Sequence, residues 1–175
     1  ISFDLSSEHE FPKGITFNTD GTKMFIVDSN AQSVYQYTLT TAFDLSTASY
    51  DNVSFNVNSE NGSPEGVVFN TDGTKMYMVG RFFPESVYQY TLTTAFDIST
   101  ASYDNVSIDI RLEVDVPRGI AFNTDGTKMY IIGGFPTGVY QYSLTTGFDL
   151  STASYDDVLY NLFENDIDEV SHIVF

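Results

Sequence analysis

The chain has 175 residues, 24 acidic and 7 basic side chains, a formal charge of −17, and neither cysteine nor tryptophan. A surface this acidic repels phosphate backbones, which excludes nucleic acid as a partner, and no run of about 18 apolar residues offers itself for membrane insertion. Without cysteine there are no disulfides and no thiolate chemistry, while a 15% share of Phe and Tyr, with many Val, Ile and Thr, favours strands.

Taken in order, the predicted elements repeat. Gly14–Val27 returns as Gly66–Val79 and again as Gly119–Ile132, at offsets of 52 and 53 residues. The first predicted strand, Gly14-Ile-Thr-Phe17, follows a proline at 12, 64 and 117 in the three copies. Asn18-Thr-Asp-Gly21 comes next; Asp-Gly between apolar runs predicts a hairpin with a type I′ turn and positive φ at both central positions. The second strand, Lys23–Val27, is apolar on both faces and is predicted to be covered on both. The third, Val34–Leu39, alternates more clearly. A connection, Thr41–Asp51, is nearly identical at 94–104 and 146–156. The fourth strand, Val53–Val57, alternates strictly, which predicts one buried face and one wet face.

Burial thus changes along each unit, from a two-sided middle to a one-sided last strand. Near-identical units of four strands predict an all-β fold of β-propeller blades, four antiparallel strands each, with a repeat of about 52 residues. The blades are assigned to about 12–63, 64–116 and 117–169 of a single propeller segment. Ile1–Leu5 matches the fourth strand and Ser171–Phe175 the first. Residues 1–11 are therefore predicted as an outer strand, and 170–175 as an inner strand, of incomplete blades. Three blades are fewer than the roughly four to eight of a closed ring. The expectation is self-association, two chains closing the ring as a dimer, or membership of a longer array.

The unit Gly-Ile-x-Phe-Asn-x-Asp-Gly-Thr-Lys-Met-Tyr, followed by Val-Tyr-Gln-Tyr-x-Leu, resembles blades of the lactonase-like and surface-layer-like propeller superfamily. With its Ala42–Tyr50 segment it is similar to repetitive propeller proteins of marine bacteria and their phages. The resemblance covers the whole chain and implies the propeller fold. Enzymes of the wider superfamily hold a metal on Glu, Asn and Asp side chains in a central channel; no match to those positions is found, and none is carried over.

Asp20, Asp72 and Asp125 sit in the Asp-Gly turns, where the expected role is local bonding to backbone N–H groups. Calcium is the alternative there, but the dense Asp-rich loop with a distal Glu is absent. Asp44, Asp97 and Asp149, with Ser46, Ser99 and Ser151, are expected to pin the long connection, with Phe43 and Tyr50 covering the sheet edge. His9 and His172 lie near opposite ends and suggest neither catalysis nor metal binding. Asn52-Val-Ser54 and Asn105-Val-Ser107 fit a glycosylation pattern, most simply through duplication of the repeat.

The loops before the first strand and between the second and third strands differ among copies, and antiparallel order places them together on one face. Variable loops on a rigid scaffold are where binding usually resides. The ligand-binding candidates are Asp28, Asn30, Arg81, Phe82, Phe83, Glu85 and Phe135, with Arg and aromatics as the anchors. The function expected is a non-enzymatic binding module, extracellular or on a virion or cell surface, presenting these loops to a glycan, a protein or a small ligand. The alternatives are a metal-dependent lactonase-like or glycan-cleaving hydrolase, and a structural spacer in a larger fibre protein.

Overall fold

The computed structural model describes residues 10–81 and 85–162. The predicted strands at 1–11 and 170–175 fall largely or wholly outside this range, as do His9 and His172. Twelve strands form three four-stranded antiparallel sheets, each in simple sequence order. The first contains β1 (Pro12–Phe17), β2 (Lys23–Asp28), β3 (Ser33–Leu39) and β4 (Ala48–Asn56); the second β5 (Pro64–Phe69), β6 (Lys75–Gly80), β7 (Ser86–Leu92) and β8 (Ala101–Asp109). The third contains β9 (Asp115–Phe122), β10 (Lys128–Phe135), β11 (Thr137–Leu144) and β12 (Ala153–Asn161).

The second strands are buried along nearly their whole length, as two-sided apolar runs require. The reason is sheet-on-sheet packing. Phe25, Val27 and Val34 of the first sheet meet Met76, Met78 and Tyr90 of the second, and Tyr77, Val79 and Val87 of the second meet Met129, Ile131 and Tyr142 of the third. Phe55 on β4 stands edge-on to Tyr90 at 5.5 Å, so even an outer strand contributes to the junction.

The hairpin expectation requires a correction. Of each Asp-Gly pair the glycine alone has positive φ, at +72° (Gly21), +73° (Gly73) and +71° (Gly126), whereas Asp20, Asp72 and Asp125 do not. The Gly21 N–H bonds the Asn18 carbonyl at 3.1 Å, closing a turn over Asn18–Gly21 that precedes a single left-handed glycine. The aspartate side chain decides this: Asp20 Oδ1 accepts from the Thr22 N–H at 2.9 Å and the Thr22 hydroxyl at 2.5 Å, a local ring that keeps Asp20 out of the left-handed region. These bonds also hold the Asp20 carboxyl below the usual carboxylate range.

The long connections are pinned by their aspartates as expected, but they are shorter than predicted: residues 48–51 belong to β4, where Ala48, Ser49 and Tyr50 pair with β3. Asp44, Asp97 and Asp149 cap short 3₁₀ turns by accepting from the serine two residues on. Phe43 folds back over the Asp-Gly turn, its N–H bonding the Gly21 carbonyl at 2.9 Å and its ring 5.5 Å from Phe17. A β-carbon on Gly21 would lie 2.3 Å from that ring, so glycine is required there for space as well as for φ.

Each outer strand carries a bulge that sequence alternation did not reveal. Gln36 pairs with Val53 and Tyr37 with Tyr50, leaving Asp51 and Asn52 inserted, with Asn52 at φ +58°. Asn105 and Asp157 repeat the conformation at +57° and +54°. The recurring Asn-Val-Ser pattern therefore coincides with a backbone position that favours Asn. The bulge also aims Asp51 at Gln36 Nε2, 2.9 Å away; Asp104 and Asp156 accept from Gln89 and Gln141 in the same way and pair with Lys75 and Lys128, each at 2.8 Å. Partial burial opposes ionisation of Asp156, but bonds from Lys128, Ser143 and Gln141 hold it at about 2.

Candidate functional site

The three first strands lie side by side, and a glycine at the same position in each allows it. A β-carbon on Gly14 would sit 2.8 Å from the Glu65 carbonyl oxygen and 3.1 Å from Gly66 Cα; one on Gly66 would sit 3.2 Å from Gly119 Cα. The residue before each glycine is therefore carried to the same end of the assembly, the end of the variable loops. Those residues are Lys13, Glu65 and Arg118.

Along these strands runs a cavity of about 890 Å³. Glu65 and Arg118 line one end; Ile15, Val67 and Ile120 line the middle; Asn18, Asn70 and Asn123, with Phe43, Phe96 and Phe148, line the other. Glu65 is 6% exposed, and its carboxylate lies 3.5 Å from Arg81 Nε and accepts a long 3.5 Å bond from the Ser63 hydroxyl. Burial pushes its carboxyl above the usual value, against the pull of Lys13, Arg81, Ser63 and Arg118. Three of the 7 basic residues thus act on one acid: Arg118 lines the cavity with Glu65, Arg81 pairs with Glu65, and the charge of Lys13 also bears on it. The others are engaged elsewhere: Lys75 and Lys128 with bulge aspartates, Lys23 with the Phe96 carbonyl, and Arg111 with Asp109.

The sign of the Glu65 shift sets an expectation. The folded chain holds this proton more tightly than the unfolded chain, so the contribution to stability is complete below the unfolded value and lost as pH rises through the folded one. Glu65→Gln, which stays neutral, is expected to melt above the parent near neutrality, with the gap closing on acidification. Paired thermal melts across pH check this; a gap that widens toward acid would contradict it.

Among the described residues, Asp28 and Glu65 are the buried carboxylates, and their surroundings are opposite. Asp28, 1% exposed, accepts from the N–H groups of Glu10 (2.9 Å), Phe11 (3.1 Å), Asn30 (2.8 Å) and Ala31 (2.9 Å). Burial raises its carboxyl, but these N–H groups outweigh that and hold it below the usual range. Asp28 thereby ties the two variable loops of the first sheet together. At the corresponding position the second sheet has Gly80, whose missing side chain makes room for Asn61, and the third has Gly133, which makes room for Val114. Some of the variation among loops is thus compensated packing within each pair of loops.

The other candidates separate. Arg81 pairs with Glu65, which lines the cavity. Asn30 is exposed and donates its amide to Glu10 at 2.6 Å. The Glu85 carbonyl accepts from the Ile110 N–H at 3.0 Å. Phe82, Phe83 and the side chain of Phe135 lie outside the described residues. Lys13, Glu65 and Arg118 were missed, although a signal existed: in otherwise matching Pro-x-Gly triplets, x changes charge from copy to copy. Among the described residues, no three His, Cys, Asp or Glu side chains converge as a metal-ligand set, and no helix is long and apolar enough to cross a membrane.

No family model matches the chain, and no curated protein matches it. Solved structures do. A candidate 6-phosphogluconolactonase from Bacteroides fragilis is similar with a TM-score of 0.62 at 11% identity, over 86% of this chain and 39% of that one. The periplasmic gluconolactonase of Pseudomonas aeruginosa gives 0.57 at 11%, over 82% and 37%, and a chain of a nidogen–laminin complex 0.53 at 13%, over 85% and 49%. At such identities the likeness is one of fold, and the fold is β-propeller-like. The chain spans about two fifths of the length of the lactonase structures.

Proposed function

We propose that this chain is a non-enzymatic binding module, extracellular or on a cell or virion surface, built of propeller blades. Its cavity takes a small ligand bearing a carboxylate, such as an acidic sugar of a glycan, at the end lined by Glu65 and Arg118, with Arg81 against Glu65 and Lys13 acting on it. The observation that carries this reading is that Lys13, Arg81 and Arg118 all act on Glu65, which lines the cavity beside Arg118, in a chain of charge −17. Positive charge concentrated against such a background focuses an anion there, and a planar guanidinium matches a carboxylate with two parallel N–H donors. The apolar middle of the cavity suits a sugar-sized body, since pockets of this kind use few polar groups for orientation.

A lactone-cleaving activity is the second reading. It draws on the fold likeness and on Glu65, whose raised carboxyl suits a general acid. Among the described residues Glu65 is the one carboxylate lining the cavity. Acid–base chemistry on an ester ring calls for a second partner, and for that reason binding is preferred.

Calorimetric titration with glucuronate and with glucose tests the proposal. Glucuronate is expected to bind, to weaken as salt rises, and to lose about tenfold or more in affinity with Arg118→Ala or Arg81→Ala, a charge-assisted pair being worth roughly 1.5–3 kcal/mol. Equal binding of glucose, or no binding of either sugar, would overturn it. Turnover of an aldonolactone that is lost in Glu65→Gln would favour the second reading.

A further inference from the structure

The two sheet junctions share one polar device. The Ile98 N–H, in the 3₁₀ turn of the second sheet, donates to Gln36 Oε1 of the first at 3.1 Å; the Leu150 N–H of the third donates to Gln89 Oε1 of the second at 2.8 Å. Ile98 and Leu150 are buried in these junctions, and so are both glutamines. The third sheet carries the same receiver without a donor. Gln141 Nε2 binds Asp156 at 2.7 Å, as its counterparts bind theirs, but Gln141 is only half-buried and no N–H reaches its Oε1 among the described residues. Beside it Val158 is 45% exposed and Tyr160 57%, where Val106 and Ile108 of the second sheet are packed against their neighbour. The first sheet carries the donor without a receiver. Leu45 begins the same Leu-Ser-Thr turn as Leu150, yet it is 42% exposed and its N–H finds no acceptor among the described residues.

We propose that a second copy of this chain docks head to tail, its Leu45 turn seated on the Gln141–Val158–Tyr160 face of the first. The occupant is chosen by continuity: the same turn already fills the same receiver twice within the molecule, and the Leu-Ser-Thr sequence at 45–47 is identical to that at 150–152. The contact joins two different surfaces, so it is heterologous and closes only when each copy offers both. Two junctions then make a closed dimer. This proposal is independent of the ligand assigned to the cavity.

Sedimentation or light scattering of the 175-residue chain reads the result. The parent is expected at twice 19.5 kDa. Leu45→Asp and Val158→Asp are each expected at the single-chain mass, with far-ultraviolet circular dichroism unchanged. Mixed together they are expected to associate again, because one pairing unites the intact Leu45 turn of one variant with the intact face of the other. Should Val158→Asp fail to fold, Tyr160→Ser, at a more exposed position, replaces it. A parent that stays monomeric at every concentration overturns the proposal. So do variants that keep the parent mass, and a mixture that remains monomeric.

Discussion

Gly14→Ala is expected to lower the melting temperature by roughly 4–10 °C, for a cost of about 2–3 kcal/mol in a domain of this size. The added methyl carbon would lie 2.8 Å from the Glu65 carbonyl oxygen and 3.1 Å from Gly66 Cα. Both obstacles are backbone, so no side-chain rotation relieves them; the first two sheets must separate. That displacement carries Lys13, on the first sheet, away from Glu65 and Arg81 on the second, and glucuronate binding should fall along with stability. A graded series strengthens the test. In Gly66→Ala the nearest backbone atom is farther, Gly119 Cα at 3.2 Å, and the next contact is the Val79 side chain at 3.3 Å, which can yield. Gly66→Ala is therefore expected to cost less, and Val79→Ala to recover only part of that loss. Thermal or urea denaturation checks the order; if Gly14→Ala melts within about 1 °C of the parent, the close approach of the first strands is not a constraint.

The second large effect is expected at Asp28. Asp28→Ala leaves four backbone N–H groups without their acceptor, for a loss of about 3–4 kcal/mol, because bonds to a charged group are each worth roughly 1.5–3 kcal/mol and do not add fully. Asp28→Asn should lose nearly as much, since its NH₂ would face N–H donors. The pH dependence has the opposite sign to that of Glu65. The Asp28 carboxyl is lowered in the folded chain, so its contribution is present above the unfolded value and disappears as pH falls through the folded one. The gap between parent and Asp28→Asn should thus shrink in acid, where the gap at Glu65 also closes but from the other direction. Amide exchange should quicken at Glu10, Phe11, Asn30 and Ala31. A change of less than about 0.5 kcal/mol would mean that water replaces the carboxylate and that the loops do not depend on it.

These two positions show what could be read along the chain and what could not. Strand positions, the order of strands and the two-sided burial of Lys23–Val27 were legible because periodicity and turn residues act within a few residues of one another. The capping by Asp44, Asp97 and Asp149 was legible for the same reason: donor and acceptor are two residues apart. The turn type at Asp20 was misjudged because the Thr22 hydroxyl competes for the carboxylate, a detail below the resolution of a dipeptide rule. The outer-strand bulge was hidden because the strand was predicted to begin at Val53, so the change of phase at Asp51-Asn52, between Tyr50 and Val53, fell at its edge and not inside it.

The candidate site was half legible. Comparing copies pointed to the end of the molecule where Glu65 is buried and to Arg81, which pairs with it, since loops that differ on a constant frame stand out. It also proposed Asp28 as a ligand contact, and the structure places that carboxylate beneath four N–H groups. An acid in a variable loop looks the same in sequence whether its partners are a ligand or the backbone 17 or 18 residues away. Glu65 was passed over because it falls between the variable loop read as ending at Pro64 and the repeated strand read as beginning at Gly66, although the observed strand includes it.

By itself, then, the sequence determined three near-identical four-stranded units, their turns and caps, and the end at which they differ, all of which rest on contacts between near neighbours in the chain or on comparison of one copy with the next. Only the tertiary structure decided that Glu65 and Arg118, some fifty residues apart, line one cavity with Arg81 paired to Glu65 and Lys13 acting on it, and that among the described residues the Leu45 turn lacks a receiver and the Gln141 face a donor. Those relations depend on which sheets pack against which, and packing between distant segments leaves no periodic trace in a single chain.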